Sequence, residues 1–293
     1  MRGRKMKKRT RREKGFTLVE ILVALTILGL ALAAISITFQ SQSKSFSIQE
    51  QVSSMQIGGA LALSRIAQEV RMAGYGVPAG TSPITGISDG AGGGPDSFTI
   101  VANLQASTFL SSDAAANANS VPVEDVTQFS NVSAGTELTI LDPLRNLIET
   151  NSFASYDAGT SRITLQNNLS AQVPEGSYIG VSPENITYSI DSSDPNHPFL
   201  SRNGDVMAAD IEDLQVAYGE DDNLDGLVDA WRNVPNNPGN ILAVRISIVA
   251  RSRYPEQGAS YSLNGVENGR NFGPDGYRRR VYTTTVKLRN LLL

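Results

Sequence analysis

The 293-residue chain has no cysteine, one histidine and one tryptophan, and only 6% of its residues are aromatic. Without thiols there is no disulfide staple, no thiolate nucleophile and no cysteine-rich zinc site. One histidine excludes the paired-histidine metal motifs; it is His197, inside Asp194-Pro195-Asn196-His197-Pro198, and reads as a surface turn residue. No Gly-x-Ser-x-Gly elbow occurs, and Gly90–Gly94 lacks the lysine and Ser/Thr of a phosphate loop, so it reads as a flexible loop. No catalytic residue is assigned, and the chain is not read as an enzyme. Positive charge is also scarce once the start is passed. Residues 1–15 hold nine Lys/Arg and one acid, Glu13, leaving 16 basic and 28 acidic residues for the rest. An acidic body argues against general nucleic-acid binding, and no small-molecule substrate is read. What the chain does have is 40% apolar residues, enough for one or two modest domains.

Behind the basic block, Phe16–Phe39 is apolar except for one charge, Glu20. About 20 helical residues cross a bilayer core, and the basic flank should stay cytoplasmic. A secretory signal would need a small-residue cleavage site; Ala33-Ala34-Ile35-Ser36 serves poorly, and the run is long for a signal. A plain signal anchor, with Glu20 at headgroup level, is the other bland reading. An acid deeper in the membrane costs about 2.5–3.5 kcal/mol and marks function.

The stretch Lys14-Gly15-Phe16-Thr17-Leu18-Val19-Glu20, followed by apolar Ile21–Ile37, resembles the signal of type IV prepilins and pseudopilins. The resemblance implies cleavage by a prepilin peptidase after Gly15, N-methylation of Phe16, and retention of the apolar run. Glu20 becomes the fifth mature residue, and its carboxylate would pair with the Phe16 amine of a neighbouring subunit during assembly. It further implies an inner-membrane precursor with a cytoplasmic N-terminus, later carried into a pilus fibre on the cell surface.

Helical periodicity continues through Val52, Met55, Gly59, Ala62, Ile66, Val70 and Ala73, with no proline from Phe16 to Ala73. Gly58-Gly59 reads as close packing on a sheet rather than as a hinge, and Gly74-Tyr75-Gly76-Val77-Pro78 stops the helix. Beyond it, strands are predicted at Ser97–Ala102, Thr136–Leu141, Arg162–Leu165, Tyr178–Val181, Ile186–Ile190, Leu214–Tyr218, Leu242–Arg253 and Arg280–Arg289. Ser88–Pro95, Ser111–Ser120 and Tyr261–Gly276 read as loops, and Arg278-Arg279-Arg280 as a solvated strand start. The fold class is α+β: a long N-terminal helix packed by its outer half on a mostly antiparallel sheet, which agrees with the pilin fold that the resemblance implies. The division is 1–15 leader, 16–39 assembly half of the helix, 40–77 outer half and 78–293 β-rich head.

Ala62–Pro78, "ALSRIAQEVRMAGYGVP", and the segments Ala243–Ser252 and Arg278–Asn290 resemble PilW-type minor pilins. That implies a structural subunit that primes pilus assembly at the tip. Its partners would be other minor and major pilins, prepilin peptidase and the inner-membrane assembly platform. The alternatives are a GspJ-like pseudopilin of a type II secretion system and a single-span surface binding or adhesive protein. The resemblance does not place the middle of the chain, about residues 79–205. One chemical motif stands outside this reading. In "DDNLDGLVDAW", Asp221, Asn223, Asp225, Gly226 and Asp229 occupy positions one, three, five, six and nine of a calcium loop. Leu227 would offer its carbonyl and Val228 an apolar anchor, while Arg232 stands where the bidentate glutamate belongs. Glu220 and Asp222 lie nearby, unplaced by the motif. Calcium here is the one cofactor considered.

Overall fold

A computed structural model describes residues 15–290 of the chain. Apart from Gly15, the expected leader lies outside the described residues. The chain forms two compact units, the first running to Glu50 and the second starting at Gln51.

One helix, α1, spans Leu18–Arg71. Leucine, alanine and isoleucine favour it, and no proline interrupts it. It ends where the backbone tightens: Met72 and Ala73 donate to carbonyls three residues back, and Gly74 turns left-handed at φ 81°. Between Gln51 and Arg71 it buries Met55, Gly59, Ala62, Leu63, Ile66, Ala67, Glu69 and Val70, which is the expected face plus one carboxylate. Gly59 allows a close approach, since a Cβ there would lie 2.6 Å from the Tyr282 ring; a Cβ on Gly58 would meet nothing.

The β-rich part is not one sheet but three, with a small ribbon. A four-stranded antiparallel sheet runs Ala230–Arg232, Ile211–Glu220, Ile241–Arg251, Arg279–Lys287 in spatial order. A five-stranded antiparallel sheet runs Ile84–Gly90, Gly94–Ala102, Glu184–Asp191, Phe199–Arg202, Asp205–Ala209. Both share one core with the outer helix, built on Ile66, Val70, Phe98, Tyr188, Tyr218, Val244 and Ile248. A buried Ile, Leu or Val contributes about 1.5–3 kcal/mol, so this core dominates the second unit.

Residues 107–181, within the stretch that the sequence resemblance does not place, form the third sheet. Its order is Ser107–Phe109, Tyr178–Val181, Glu137–Leu141, Leu147–Asp157, Arg162–Leu165, Ser120–Pro122. It has a core of its own around Leu110, Phe129, Leu138, Phe153 and Ile163. This insertion hangs between two paired neighbours of the five-stranded sheet, because Ala102 and Glu184 face each other.

Two expected loops are more ordered than their composition suggests. Gly90–Gly94 is the tight turn of a hairpin whose first strand, Ile84–Gly90, its glycines and polar residues concealed. Tyr261–Gly276 contains the ribbon Tyr261–Leu263 and Phe272–Asp275. Asp96 joins the two helix-side sheets: one oxygen accepts the Gly90 N–H and the other the Val216 N–H, the latter at 2.7 Å.

Candidate functional site

Every described residue up to Phe46 is exposed, so the first unit of the chain presents a wholly unburied apolar surface. Its helix is long and apolar enough to cross a membrane, and none of its most apolar window is buried. Gly15 and Phe16 precede the first helical turn, with Phe16 84% exposed. Glu20 is placed by a device the apolar run had hidden. Its carboxylate accepts the Thr17 N–H at 2.9 Å and the Thr17 hydroxyl at 3.0 Å, while the Thr17 oxygen accepts the Glu20 N–H at 3.2 Å. This is a reciprocal capping box that satisfies orphan N–H groups at the helix start. The Thr-x-x-Glu spacing was there to be read. Glu20 therefore holds its own helix end and keeps a carboxylate about one turn from the start of the apolar run at Phe16.

At the other end of α1 a second arrangement fixes the helix to the sheets. Glu69 is 4% exposed; it accepts from Tyr188 Oη, from Arg202 Nε at 2.9 Å and from Arg65 Nε at 2.6 Å. Burial pushes its pKa up, but the bonds from Tyr188, Arg202 and Arg65 outweigh it and hold the carboxyl below its ordinary range. Arg145, from the turn after Glu137–Leu141, donates Nη2 to the carbonyls of Gly74 and Val77 and Nη1 to that of Asn290. The two stretches that resembled PilW, one closing the helix and one closing the chain, thus meet on one guanidinium.

The acidic loop is folded on itself. Asp221 is fully buried and accepts the N–H groups of Asp225 at 3.1 Å and Gly226 at 2.7 Å. Asp229 accepts those of Asp222 and Asn223, and Asp225 that of Leu227. Oxygens of Asp225 and Asp229 converge at 3.3 and 3.4 Å on the Asn223 amide nitrogen. Val228 sits over Gly219. Arg232 pairs with Glu220 and Asp222, each at 2.8 Å, so the two neighbouring acids are engaged. Among the described residues no three His, Asp or Glu side chains are grouped to hold a metal ion.

His197 lies in its turn, 39% exposed and 3.6 Å from Asp210. The solvated start expected at Arg278–Arg280 is corrected: Arg279 is only 4% exposed and pairs with Glu212 at 2.6 Å and Asp275 at 2.7 Å, and Arg278 pairs with Glu256. A run of three arginines conceals which of them turns inward to an acid.

Two family models match the chain. Residues 10–36 match the prokaryotic N-terminal methylation motif, and residues 179–290 match the type IV pilus-assembly protein W, PilW. Comparison with curated proteins and with solved structures returns no match. The first match covers Gly15, Phe16 and Glu20; the second covers the four-stranded sheet, three strands of the five-stranded sheet and the Asn290 end of the Arg145 junction, and leaves out nearly all of the insertion. A capped, unburied apolar helix carrying a methylation motif, followed by a matching C-terminal part, makes this chain similar to type IV prepilin-like proteins and, over residues 179–290, to PilW.

Proposed function

We propose that the chain is a minor pilin that helps to prime a type IV pilus and stands in its tip complex. The observation that carries this is the joining, in one α1, of a fully exposed apolar half and an outer half buried in a PilW-like head. An apolar surface of that extent must be covered by lipid or by other helices, and a growing filament offers the second after the first. In this reading prepilin peptidase cuts after Gly15, Phe16 is methylated, and the precursor sits in the inner membrane with its N-terminus cytoplasmic. The Glu20 carboxylate then meets the Phe16 amine of a neighbour, and the head meets other minor pilins. The Asp221–Asp229 loop is proposed as a weak calcium site. Its spacing supports this, as does the anchoring of Val228.

The test is the N-terminus of protein recovered from filaments. Mass spectrometry should find N-methylated Phe16, and replacing Gly15 by a bulky residue should leave the long form in the membrane. Intact Met1–Lys14 on filament-borne protein would overturn the reading. Deletion should abolish piliation; loss of secretion with normal pili would favour the pseudopilin alternative.

A further inference from the structure

We infer that the Arg279–Lys287 strand is an acceptor edge for an extended, acidic strand of another subunit. This strand ends the four-stranded sheet, with Ile241–Arg251 on its inner side and, among the described residues, no strand on its outer side. The register says which groups face out. Ser252 N–H donates to the Arg278 carbonyl, and Leu288 N–H to the Leu242 carbonyl, so the even-numbered residues of this strand are the hydrogen-bonded partners of Ile241–Arg251. By the alternation of an antiparallel ladder, the N–H and C=O groups of Arg279, Val281, Thr283, Thr285 and Lys287 point away from the sheet. None of these five residues has a main-chain hydrogen bond to any element other than Ile241–Arg251 among the described residues. Arg280, Thr283, Thr285 and Lys287 are exposed, so the edge is reachable.

Charge selects the occupant. From Arg278 to Asn290 there are five basic residues and no acid. Arg278 and Arg279 are neutralised by Glu256, Glu212 and Asp275. Arg280, Lys287 and Arg289 have no carboxylate partner among the described residues. A second copy pairing antiparallel about Thr283 would bring together two strands that hold no acid, so it would supply no carboxylate to Arg280, Lys287 or Arg289 of either copy. An acidic strand would satisfy the outward backbone groups and, from one row of carboxylates, the Lys287 and Arg289 cations, which share a face of the strand; Arg280 lies on the other face, over the Tyr282 ring. Strand addition takes affinity from the backbone and specificity from the side chains. That the donor is another pilin rests on the proposed function; the edge itself does not.

The test uses the full-length protein in detergent and hydrogen exchange resolved to single amides. The probes are a synthetic eight-residue peptide alternating Glu with Val, its Lys-for-Glu counterpart, and the Glu peptide N-methylated at alternate positions. Alone, Val281, Thr283 and Thr285 should exchange fast while Tyr282, Thr284 and Val286 are protected. At tenfold excess over its Kd the Glu peptide should slow the first three about elevenfold, with no effect from the other two peptides. Thr283→Pro removes an outward N–H and no ladder bond, so it should abolish the response with the protection of Thr284 retained; Thr284→Pro should disrupt the ladder. Equal slowing by the Lys peptide, no slowing by either, or slowing that depends only on protein concentration, as in self-pairing, would overturn the inference. These readouts stand whether or not the mature chain begins at Phe16, so failure here is separable from failure of the pilin reading.

Discussion

Stability of the β-rich unit should fall as pH rises from about 4.5 to 7.5, opposite to the acid sensitivity of most folded proteins. Asp96 and Asp213 are 3% and 0% exposed, and burial pushes each pKa from 3.8 up to about 6. Asp213 gives one oxygen to the Leu214 N–H and the Gln215 amide, while its Oδ2 and the Gln215 Oε1 have no donor. An acid with a raised folded pKa keeps its proton in the folded state after the unfolded chain has lost it. Its full stability is therefore present below about pH 4, declines through pH 6 and is gone above about pH 7. Each shift corresponds to about 3 kcal/mol. The two carboxylates repel each other, so the shifts are not additive, and a combined loss of about 3–5 kcal/mol is expected. Carboxyls held low, such as Glu69 and Asp275, act in the opposite sense but below their ordinary range, outside this window. The assay is urea unfolding of the full-length protein in detergent, followed by Trp231 fluorescence at half-unit pH steps. Asp213→Asn keeps the acceptor and adds a donor where Gln215 Oε1 lacks one. It should be neutral near pH 4 and stabilise by up to about 3 kcal/mol at pH 7.5. Stability that is flat or rising from pH 5 to 7.5, or an Asn variant equally destabilised at both ends, would refute the reasoning.

Three further outcomes are expected. Glu20→Gln keeps a capping acceptor and loses the charge; helix content should stay while filament incorporation drops roughly tenfold or more, the factor for losing a charge-assisted bond of about 1.5–3 kcal/mol. Normal incorporation of Glu20→Gln beside failure of Glu20→Ala would instead show that the cap is what matters. Gly59→Ala, driven against Tyr282, should cost about 1–3 kcal/mol in unfolding experiments. Gly58→Ala, with open space around it, should gain about 1 kcal/mol; similar effects at both positions would contradict the packing. Calcium with a Kd on the order of 10⁻⁴–10⁻³ M should raise the melting temperature and change Trp231 fluorescence, and Asp225→Ala should abolish both. No response at millimolar calcium would leave the loop a self-bonded turn.

The helix was legible from an unbroken run without proline, and its buried face because Val52–Ala73 repeats one period for about six turns, roughly 3.6 residues each. Arg162–Leu165 and Tyr178–Val181 appear within the limits expected, since β-branched and aromatic residues alternate between turn formers. Leu147–Asp157 was missed because its polar residues are satisfied by pairing, not by burial. The existence of two cores was not legible at all. It depends on which strands pair across long separations, such as Ala102 with Glu184, and one sequence carries no record of that. In the candidate site Gly15, Phe16 and Glu20 were marked by a local motif. Glu69 and Asp96 were not, because their burial rests on partners more than a hundred residues away, Tyr188 for Glu69 and Val216 for Asp96, and Asp213 was not, because its local bonds to Leu214 and Gln215 do not mark it as buried.

The mounting of the insertion has a consequence of its own. It joins the five-stranded sheet at Ala102 and Glu184, two adjacent points that define an axis like the hinges of a panel. Two points on one axis leave rotation open. The end of the helix supplies a third: Arg145 grips the carbonyls of Gly74, Val77 and Asn290, its own carbonyl accepts the Ala79 N–H, and Tyr75 Oη bonds Ser107 Oγ at 2.9 Å. Three points fix an orientation, whatever surface the panel carries on its far side. The outward face of the six-stranded sheet is thus free to change residue by residue, or to be exchanged whole, with no readjustment of the helix-side core. Arg145→Ala would remove the three guanidinium bonds while leaving the Ala79 and Tyr75 bonds, both hinges and the panel's own core in place.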